Sequence, residues 1–485
     1  MVNNNDIHLM WDDAVLTIAP SNRKLEKFLT YKEKSLEPDP KKPWNKITRV
    51  KTVDLYTIIK EQPNYRVIQT MQGMWHKVKT FLENDGFNVK FYDMRLSFPA
   101  PKFELMHGFR FSQEALIKQF LSTNCSGLLG APTRWGKSTL VKNTIRAFPD
   151  VNTVVTVPGT DLVKQLYDDI KESNPGREVV LLGGGSTKKY NGADVTVASM
   201  DSLHKCDTDM CRLLLIDEPH AAVTASRLPD LAKFDKARKL GFGATLKGRF
   251  DCRDILIEAL IGPVLAERTY TEAVEEGAIC PLVVYMIRIP ILKSVDTRDR
   301  AYKNLLFNND RIGKAVKWIC HELLPKNWQT ILFIKNESQA EFYMDWIGKV
   351  GTIAMAKRMS TPERRDTMER MASGDIKRCI ASDIYSQGVT FNHVRALINL
   401  SGGGANTTTI QKPGRLAEIR PGKNCGIIFD FMFVPETGVH DLKGAQCLVR
   451  DSVSRLTAYL EKGYEVRHIS GYEELVTAFN ERIAQ

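Results

Sequence analysis

The segment that most constrains this chain is a short apolar run, Ser126–Leu129, that breaks into Gly130-Ala-Pro-Thr-Arg-Trp-Gly136-Lys137-Ser138-Thr139 and continues as an amphipathic helix. A strand, a tight turn and a helix start together make an anion site. Unpaired backbone N–H groups and the positive end of the helix dipole converge on one point. With Lys137 able to reach the β/γ-phosphates and the Ser138 hydroxyl available to Mg²⁺, the segment reads as a phosphate loop. Thr133, Gly136 and Thr139 are its further nucleotide contacts. The spacing departs from the usual GxxxxGK[ST]: Gly130 is one residue too far away, Ala131 takes the first glycine's place, and bulky Arg134 and Trp135 sit inside the loop.

Such a loop belongs to a parallel sheet, and the surrounding sequence supplies one. Thr153–Val157, Val179–Leu182, Val195–Ala198 and Leu213–Ile216 are strand-sized apolar runs separated by helical stretches. A second series follows in Val283 onward, Thr330–Ile334, Arg378–Ala381, Ala396–Asn399 and Gly426–Phe429. The expected fold is α/β: two tandem parallel-sheet lobes, a small N-terminal α+β module and a helical C-terminal tail. The expected boundaries are 1–102, 103–275, 276–440 and 441–485. In the first domain, Met74–Asn84 has helical apolar spacing, Ile47–Val53 and Val89–Tyr92 alternate as strands, and Pro38, Pro40 and Pro43 mark a loop. In the tail, Leu448, Val453, Leu456 and Leu460 form a stripe read as packing.

A length of 485 residues accommodates about three domains at roughly 100–200 residues each. The 43% hydrophobic and 26% charged fractions exclude a disordered or fibrous chain. No apolar run approaches the roughly 18 residues of a membrane span. Neither a basic start nor an apolar continuation marks a secretory signal, and nine scattered cysteines without a CxxC pair point to a reducing, cytoplasmic setting without structural zinc.

The strand Leu213–Ile216 ends in Asp217-Glu218-Pro219-His220. Two acids at the end of a buried strand suit magnesium chemistry: Asp217 holds the ion through water and Glu218 polarises the attacking water.

Phosphate loop and acid box together resemble helicase superfamily 2, and the resemblance extends through nearly all of the chain. It assigns His220 to the acid box and Gln113 to adenine recognition. It places Thr156–Gln165, with Pro158 and Thr160, and Ala198-Ser199-Met200 on the nucleic-acid backbone. Gly243-Ala-Thr-Leu246 resembles the linker motif that couples hydrolysis to strand movement. In the second lobe Thr330–Lys335 resembles motif IV, with Lys335 on nucleic acid; Ser360-Thr-Pro-Glu-Arg364-Arg365 resembles the turn after it; and Ala381–Val389, with Gly388 near ATP, resembles motif V. Gln411-Lys-Pro-Gly414-Arg415 matches the start of Q-x-x-G-R-x-x-R, which implies that Arg415 reaches the γ-phosphate across the lobe interface. The second arginine of that motif falls on Glu418. Either Arg420 reaches in from a longer loop, or Arg415 acts alone.

Lys41, Lys42, Lys46, Arg49 and Lys51, with Trp44 among them, form an acid-free window suited to phosphates and base stacking. The formal charge of +11 agrees with a polyanionic partner. Within superfamily 2 the chain most resembles bacteriophage UvsW-like branch-migrating helicases, with RecG and XPB-type translocases more distant. This likeness rests on Pro43-Trp44-Asn-Lys-Ile, Gly73-Met-Trp-His-Lys-Val, Gly183–Tyr190 and Gly243–Arg249. It implies a monomeric enzyme that uses ATP and Mg²⁺, acts on branched or double-stranded and also single-stranded DNA away from membranes, and works beside replication or recombination proteins. A duplex translocase that displaces proteins or a stalled polymerase, and an ATP-gated nucleic-acid-binding protein with little turnover, are the alternatives.

Overall fold

In a computed structural model of the protein, the described residues are 5–39, 42–63, 65–183, 192–246, 249, 251–348, 352–355, 360–382, 394–404, 409–410, 413–439 and 441–484. The chain divides into two compact units, Met1–Ala131 with Gly136–Arg268, and Pro132–Trp135 with Thr269–Gln485.

The first unit opens with β1 (Asp6–Trp11), β2 (Val15–Ala19), β3 (Thr30–Asp39), β4 (Lys42–Asp54), β5 (Tyr56–Gln62), β6 (Tyr65–Met71) and β7 (Asn88–Asp93). Five of these form a mixed sheet in the order β5-β6-β2-β1-β7, antiparallel except for β1 with β7. The helix Trp75–Asn84 buries Val78 and Leu82, and the Trp75 ring lies 4.8 Å from Trp11 and 5.7 Å from Phe91. This module shares its apolar core with the lobe that follows. At the join Gln72 donates to the carbonyls of Leu260 and Ile261, and Gly73 has Glu258 O only 2.0 Å from where a Cβ would lie, so any other residue there would force the two apart.

β3 and β4 form a separate hairpin, paired from Thr30↔Asp54 to Asp39↔Lys42. The proline-marked loop is thus a correction: Pro38 and Pro43 lie in strands, Pro38 opposite Lys46, while Pro40 lies outside the described residues. A two-stranded ribbon is all edge, where a missing N–H can face away from the partner strand.

The lobe proper contains β8 (Gly127–Gly130), β9 (Thr153–Val157), β10 (Val179–Leu182), β11 (Val195–Ser199), β12 (Leu213–Asp217), β13 (Arg238–Gly243) and β14 (Val264–Glu267). They form an all-parallel sheet in the order β10-β11-β9-β12-β13-β8-β14. β13 was not expected, because Arg238-Lys239-Leu-Gly-Phe-Gly lacks an apolar run. All six of its residues are nevertheless buried: Arg238 donates to Cys125 O at 3.0 Å and lies over the Phe98 ring, and the two glycines admit close neighbours. A buried cation is tolerable when carbonyls and ring faces replace its water.

The second unit repeats the design with β15 (Leu282–Ile291), β16 (Gln329–Ile334), β17 (Thr352–Met355), β18 (Arg378–Ser382), β19 (Val394–Asn399), β20 (Gly426–Pro435) and β21 (Glu465–Ile469), all parallel in the order β17-β18-β16-β19-β20-β15-β21. The two parallel-sheet lobes are RecA-like.

The tail holds the expected helices, Gln446–Glu461 and Tyr472–Ala484, with β21 between them as an unexpected edge strand of the lobe sheet. Its apolar stripe is a second correction. Leu448 is buried, but Val453 and Leu460 are 42% and 56% exposed, and beside Cys447, Leu448 and Ala458 the inward face carries Asp451, Ser452, Arg455 and Tyr459. Polar groups face inward because they complete a buried network: Arg455 clasps the fully buried Asp430 through two 2.9 Å bonds, Tyr459 donates to it at 2.8 Å, and Asn399 at 3.0 Å. Replacing Arg455 with Ala leaves Asp430 charged and unpaired, and should destabilise the second lobe by about 3–5 kcal/mol. Both variants are read by urea titration followed by circular dichroism, in which Val453→Ala should stay within ~0.5 kcal/mol.

Candidate active site

Strand register alone brings the phosphate loop and the acid box together. β13 lies between β8 and β12, with Gly243 opposite Gly130 and Phe242 opposite Asp217. At about 4.8 Å per strand spacing, the ends of β8 and β12 are roughly 10 Å apart. All three strands point the same way, so their C-terminal loops emerge on one edge, where a parallel sheet presents its ligand crevice.

From β8 the chain turns into the helix Lys137–Ala147 at Gly136, whose φ of +100° is open to glycine and strained for other residues. A Cβ at Gly136 would also lie 2.5 Å from Gln113 Nε2. Gln113 is 1% exposed, and its Oε1 accepts from the Arg110 backbone at 3.0 Å, so this amide is fixed beside the phosphate loop. Ser138 is exposed at the helix start and Thr139 half-buried.

Lys137 reaches across the edge and donates to Glu218 Oε1. Glu218 has φ +51°, a conformation that costs a non-glycine residue energy and recurs at functional positions. It is held by its own N–H donating to Phe242 O at 2.9 Å. His220, 7% exposed, places Nδ1 3.4 Å from Glu218 Oε2, an electrostatic contact longer than a well-formed hydrogen bond. Burial pushes the Glu218 carboxyl upward, but Lys137 and His220 outweigh it and hold the group below the ordinary carboxylate range. Burial dominates at Asp217, whose carboxyl is raised despite Lys137. Two adjacent acids therefore titrate in opposite directions. One is held low by the Lys137 ammonium and the His220 ring beside it, and the other is raised mainly by desolvation, so a cation is its natural counter-charge.

The linker motif packs beneath this pair. A Cβ on Gly243 would meet Pro219 Cδ at 3.1 Å, and Arg249 donates to the His220 carbonyl while pairing with Asp251 at 2.5 Å. Arg249 ends the motif that begins at Gly243, and the resemblance gives it no contact. An arginine two residues before an aspartate was the available signal.

In the second unit, Trp135 is buried with its indole donating to Glu276, Arg134 lies 3.7 Å from Glu418, and Arg420 pairs with Glu418 at 2.5 Å. A Cβ at Gly414 would lie 2.7 Å from Thr133 Cβ. Arg415 belongs to the helical turn Pro413–Ala417, but its side chain is outside the described part, as are Gln411 and Gly388 entirely.

Of the nucleic-acid candidates, Arg49 and Lys51 are exposed on β4, Lys335 is exposed just past β16, and Pro158 is half-buried past β9. Ser199 is 3% exposed and donates to Ser202 Oγ at 2.9 Å, so its hydroxyl serves the packing of the strand end and not the surface. Lys41 lies outside the described residues, as do the side chains of Lys42, Trp44, Lys46, Thr160, Arg364 and Arg365. The charge of the arm is also less one-sided than its sequence window: Arg49 pairs with Glu37 at 2.9 Å, and Lys51 stands opposite Glu33.

Two family models match the chain: one described as type III restriction enzyme, res subunit, over residues 107–248, and one described as helicase conserved C-terminal domain, over 314–420. The Saccharomyces cerevisiae protein IRC3, whose name assigns it to the ATP-dependent helicases, is 22% identical over 307 residues, which is 59% of this chain and 44% of that protein. The match thus spans less than half of that relative's length. Among solved structures, the DNA-bound ATP-dependent type ISP restriction-modification enzyme LlaBIII is 12% identical with a TM-score of 0.55, over 84% of this chain and 36% of that one. A fragment described as the HsdR subunit of a type I restriction enzyme from Vibrio vulnificus is 13% identical with a TM-score of 0.54, over 70% and 71%. UvsW of bacteriophage T4 is 16% identical with a TM-score of 0.40, over 96% and 99%. One model matches in each parallel-sheet lobe, and phosphate loop, acid box and linker motif share one sheet edge; the chain belongs to the superfamily 2 helicases.

Proposed function

We propose that this protein is an ATP-dependent DNA motor that remodels branched or duplex DNA, in the manner of UvsW-like branch-migrating helicases. The observation that carries the reading is the convergence of Lys137, Glu218 and His220 on one edge of a lobe whose N-terminal module carries a cation-bearing hairpin. The helicase models support ATP use, and the hairpin supports a polyanionic substrate.

The donor set of the first lobe fits ATP with Mg²⁺. The helix start at Gly136 and Lys137 would hold the phosphates, Gln113 the base, and Ser138 and Asp217 the metal. Bound there, Mg²⁺ neutralises charge developing on the transferring phosphoryl group. Thr133 and Thr139 are further candidate contacts. Glu218 is the candidate for orienting the attacking water, and His220 holds it from the far oxygen. Lys137 stands between two anionic claimants, its carboxylate partner and a phosphate. When a phosphate takes the ammonium, Glu218 loses the contact that keeps its proton affinity low and becomes a better base. Arg415 and Arg420 are the candidates for stabilising transferring charge, with Gln411 as a further catalytic candidate and Gly388 as a candidate nucleotide contact. Arg420 must leave Glu418 to serve. Arg49, Lys51 and Lys335, with Lys41, Lys42, Trp44, Lys46, Pro158 and Thr160, are the candidate DNA contacts.

A duplex translocase that does not separate strands is the second reading, favoured by the restriction-enzyme model that matches the first lobe. Strand release from a forked duplex against displacement of a triplex-forming strand separates the two.

Purified protein should hydrolyse ATP with turnover stimulated by DNA, and Lys137→Ala or Glu218→Gln should abolish it. Wild-type turnover that is absent, or indifferent to DNA, would instead support an ATP-gated binding protein. Gly136→Ala should weaken Mg·ATP binding at least tenfold, about 1.4 kcal/mol, in a fluorescent-nucleotide titration, because strain and the Gln113 clash act together. Arg415→Ala and Arg420→Ala should each cut turnover while ATP still binds, and an unaffected Arg420→Ala would remove that residue from the site.

A further inference from the structure

A run of charged contacts inside the first unit joins the acid box to the hairpin arm. It begins at the carbonyl of His220, which accepts from Arg249. Arg249 holds the Asp251 carboxylate in a two-pronged pair, Nε at 2.9 Å and Nη2 at 2.5 Å, and its backbone N–H is fixed on Asp254 at 3.1 Å. Asp251 Oδ1 also accepts from the Arg253 backbone at 3.2 Å. The Arg253 guanidinium then reaches Glu33 on β3, at 3.2 Å from Nε and 2.5 Å from Nη2. A backbone bond, Lys34 N–H to Asp251 O at 3.1 Å, fastens the same strand to the same loop. Glu33 sits opposite Lys51 in the hairpin register, so the last acid of the run shares a cross-strand position with an exposed arm cation.

These side chains are only 18–24% exposed, so their pairs are screened less than surface ion pairs. The Tyr31 hydroxyl donates to Glu33 at 3.1 Å and is pushed up to about 12 by its burial and by the charge on Glu33. An anion arriving at Lys51 would change the charge facing the Glu33 carboxylate, and with it the balance of the Glu33–Arg253 pair. Asp251 is bound to the Arg253 backbone, so a shift of Arg253 would be passed to Asp251 and on to Arg249 at the His220 carbonyl, two residues from Glu218.

We propose that Glu33 and Arg253 are positioning residues through which DNA on the basic arm sets the geometry of the acid box. The proposal rests on the reading of the arm as a DNA-binding element, and it assigns the coupling to particular groups. Neither residue touches ATP or serves as a phosphate contact.

The test uses the full chain, with ATP turnover measured with and without a duplex and DNA affinity measured separately by fluorescence anisotropy across a salt series. Glu33→Gln and Arg253→Gln should each keep DNA affinity and the KM for ATP within about twofold, while the ratio of DNA-stimulated to basal kcat falls by about fivefold or more, the lower end of ordinary coupling energies. The charge swap, Glu33→Arg with Arg253→Glu, should restore most of that ratio. An unchanged ratio in the single variants overturns the proposal. So does a lost ratio that the swap fails to recover, since the defect is then in the loop's fold. The arm reading fails separately, in the binding measurement: if Arg49→Ala with Lys51→Ala leaves affinity and its salt slope unchanged, the arm is not where DNA binds and the coupling has no input.

Discussion

The pairing of Lys137 with Glu218 is the constraint around which the first lobe is arranged. A lysine at a helix start and a glutamate in left-handed backbone meet only if their strands run parallel, end level and leave room for one strand between them. β13 is that strand, and its composition follows from the position. Gly241 and Gly243 are glycines because Leu128 and Pro219 stand where side chains would go, so the linker motif can lie flat under the acid box. Arg238 and Lys239 at its other end are buried cations, costly in isolation, that the lobe satisfies with carbonyls and a ring face. The charge contrast between Asp217 and Glu218 then needs no special residue types: one carboxyl is within reach of the Lys137 ammonium and the His220 ring, and the other is mainly desolvated.

The second lobe solves a related problem with a buried ion pair. Asp430 and Arg455 are almost wholly enclosed, and Arg455 also donates to Gly403 O at 2.6 Å, while Tyr302 links Asp451 to Gly403 N–H. Such a cluster adds little net stability over an apolar core, but it fixes geometry because each member is satisfied in one arrangement only. What it fixes here is the glycine segment after β19, in the stretch leading toward the arginine motif, so the tail helix is part of the lobe's framework.

How much of this was legible in the sequence divides along physical lines. Long apolar strands were readable because burial on both faces demands uninterrupted Val, Leu and Ile, and Leu213–Ile216 or Gln329–Ile334 could be little else. The phosphate loop and acid box were readable because their chemistry needs fixed residue types at fixed spacing. β13, the tail's inward face and the proline-containing hairpin were not, since each breaks a local rule that only tertiary contacts repair. The tail stripe misled for a definite reason: helical periodicity identifies two faces, and the network on Asp430 makes the polar one the inner. Glu33 and Arg253 lie 220 residues apart, and nothing local marks either one.

Local charge misleads in the same manner. The window from Lys41 to Lys51 contains no acid, yet its partner strand supplies Glu33 and Glu37, so part of the arm's charge is balanced within the ribbon. Elsewhere Arg238, Lys239, Arg378, Lys423 and Arg455 are buried and unavailable to any polyanion. The formal +11 therefore overstates what DNA would meet on approach. Each phosphate contact releases counterions only to the extent that it replaces solvent and not an existing carboxylate partner. If the arm is the DNA contact proposed above, internal pairing weakens each contact and makes each pair responsive to the phosphate that displaces it. A cation with no acid beside it would bind DNA and report nothing, whereas in the proposed coupling Lys51 would bind across from Glu33, whose ion pair with Arg253 anchors the loop that reaches the acid box through Arg249.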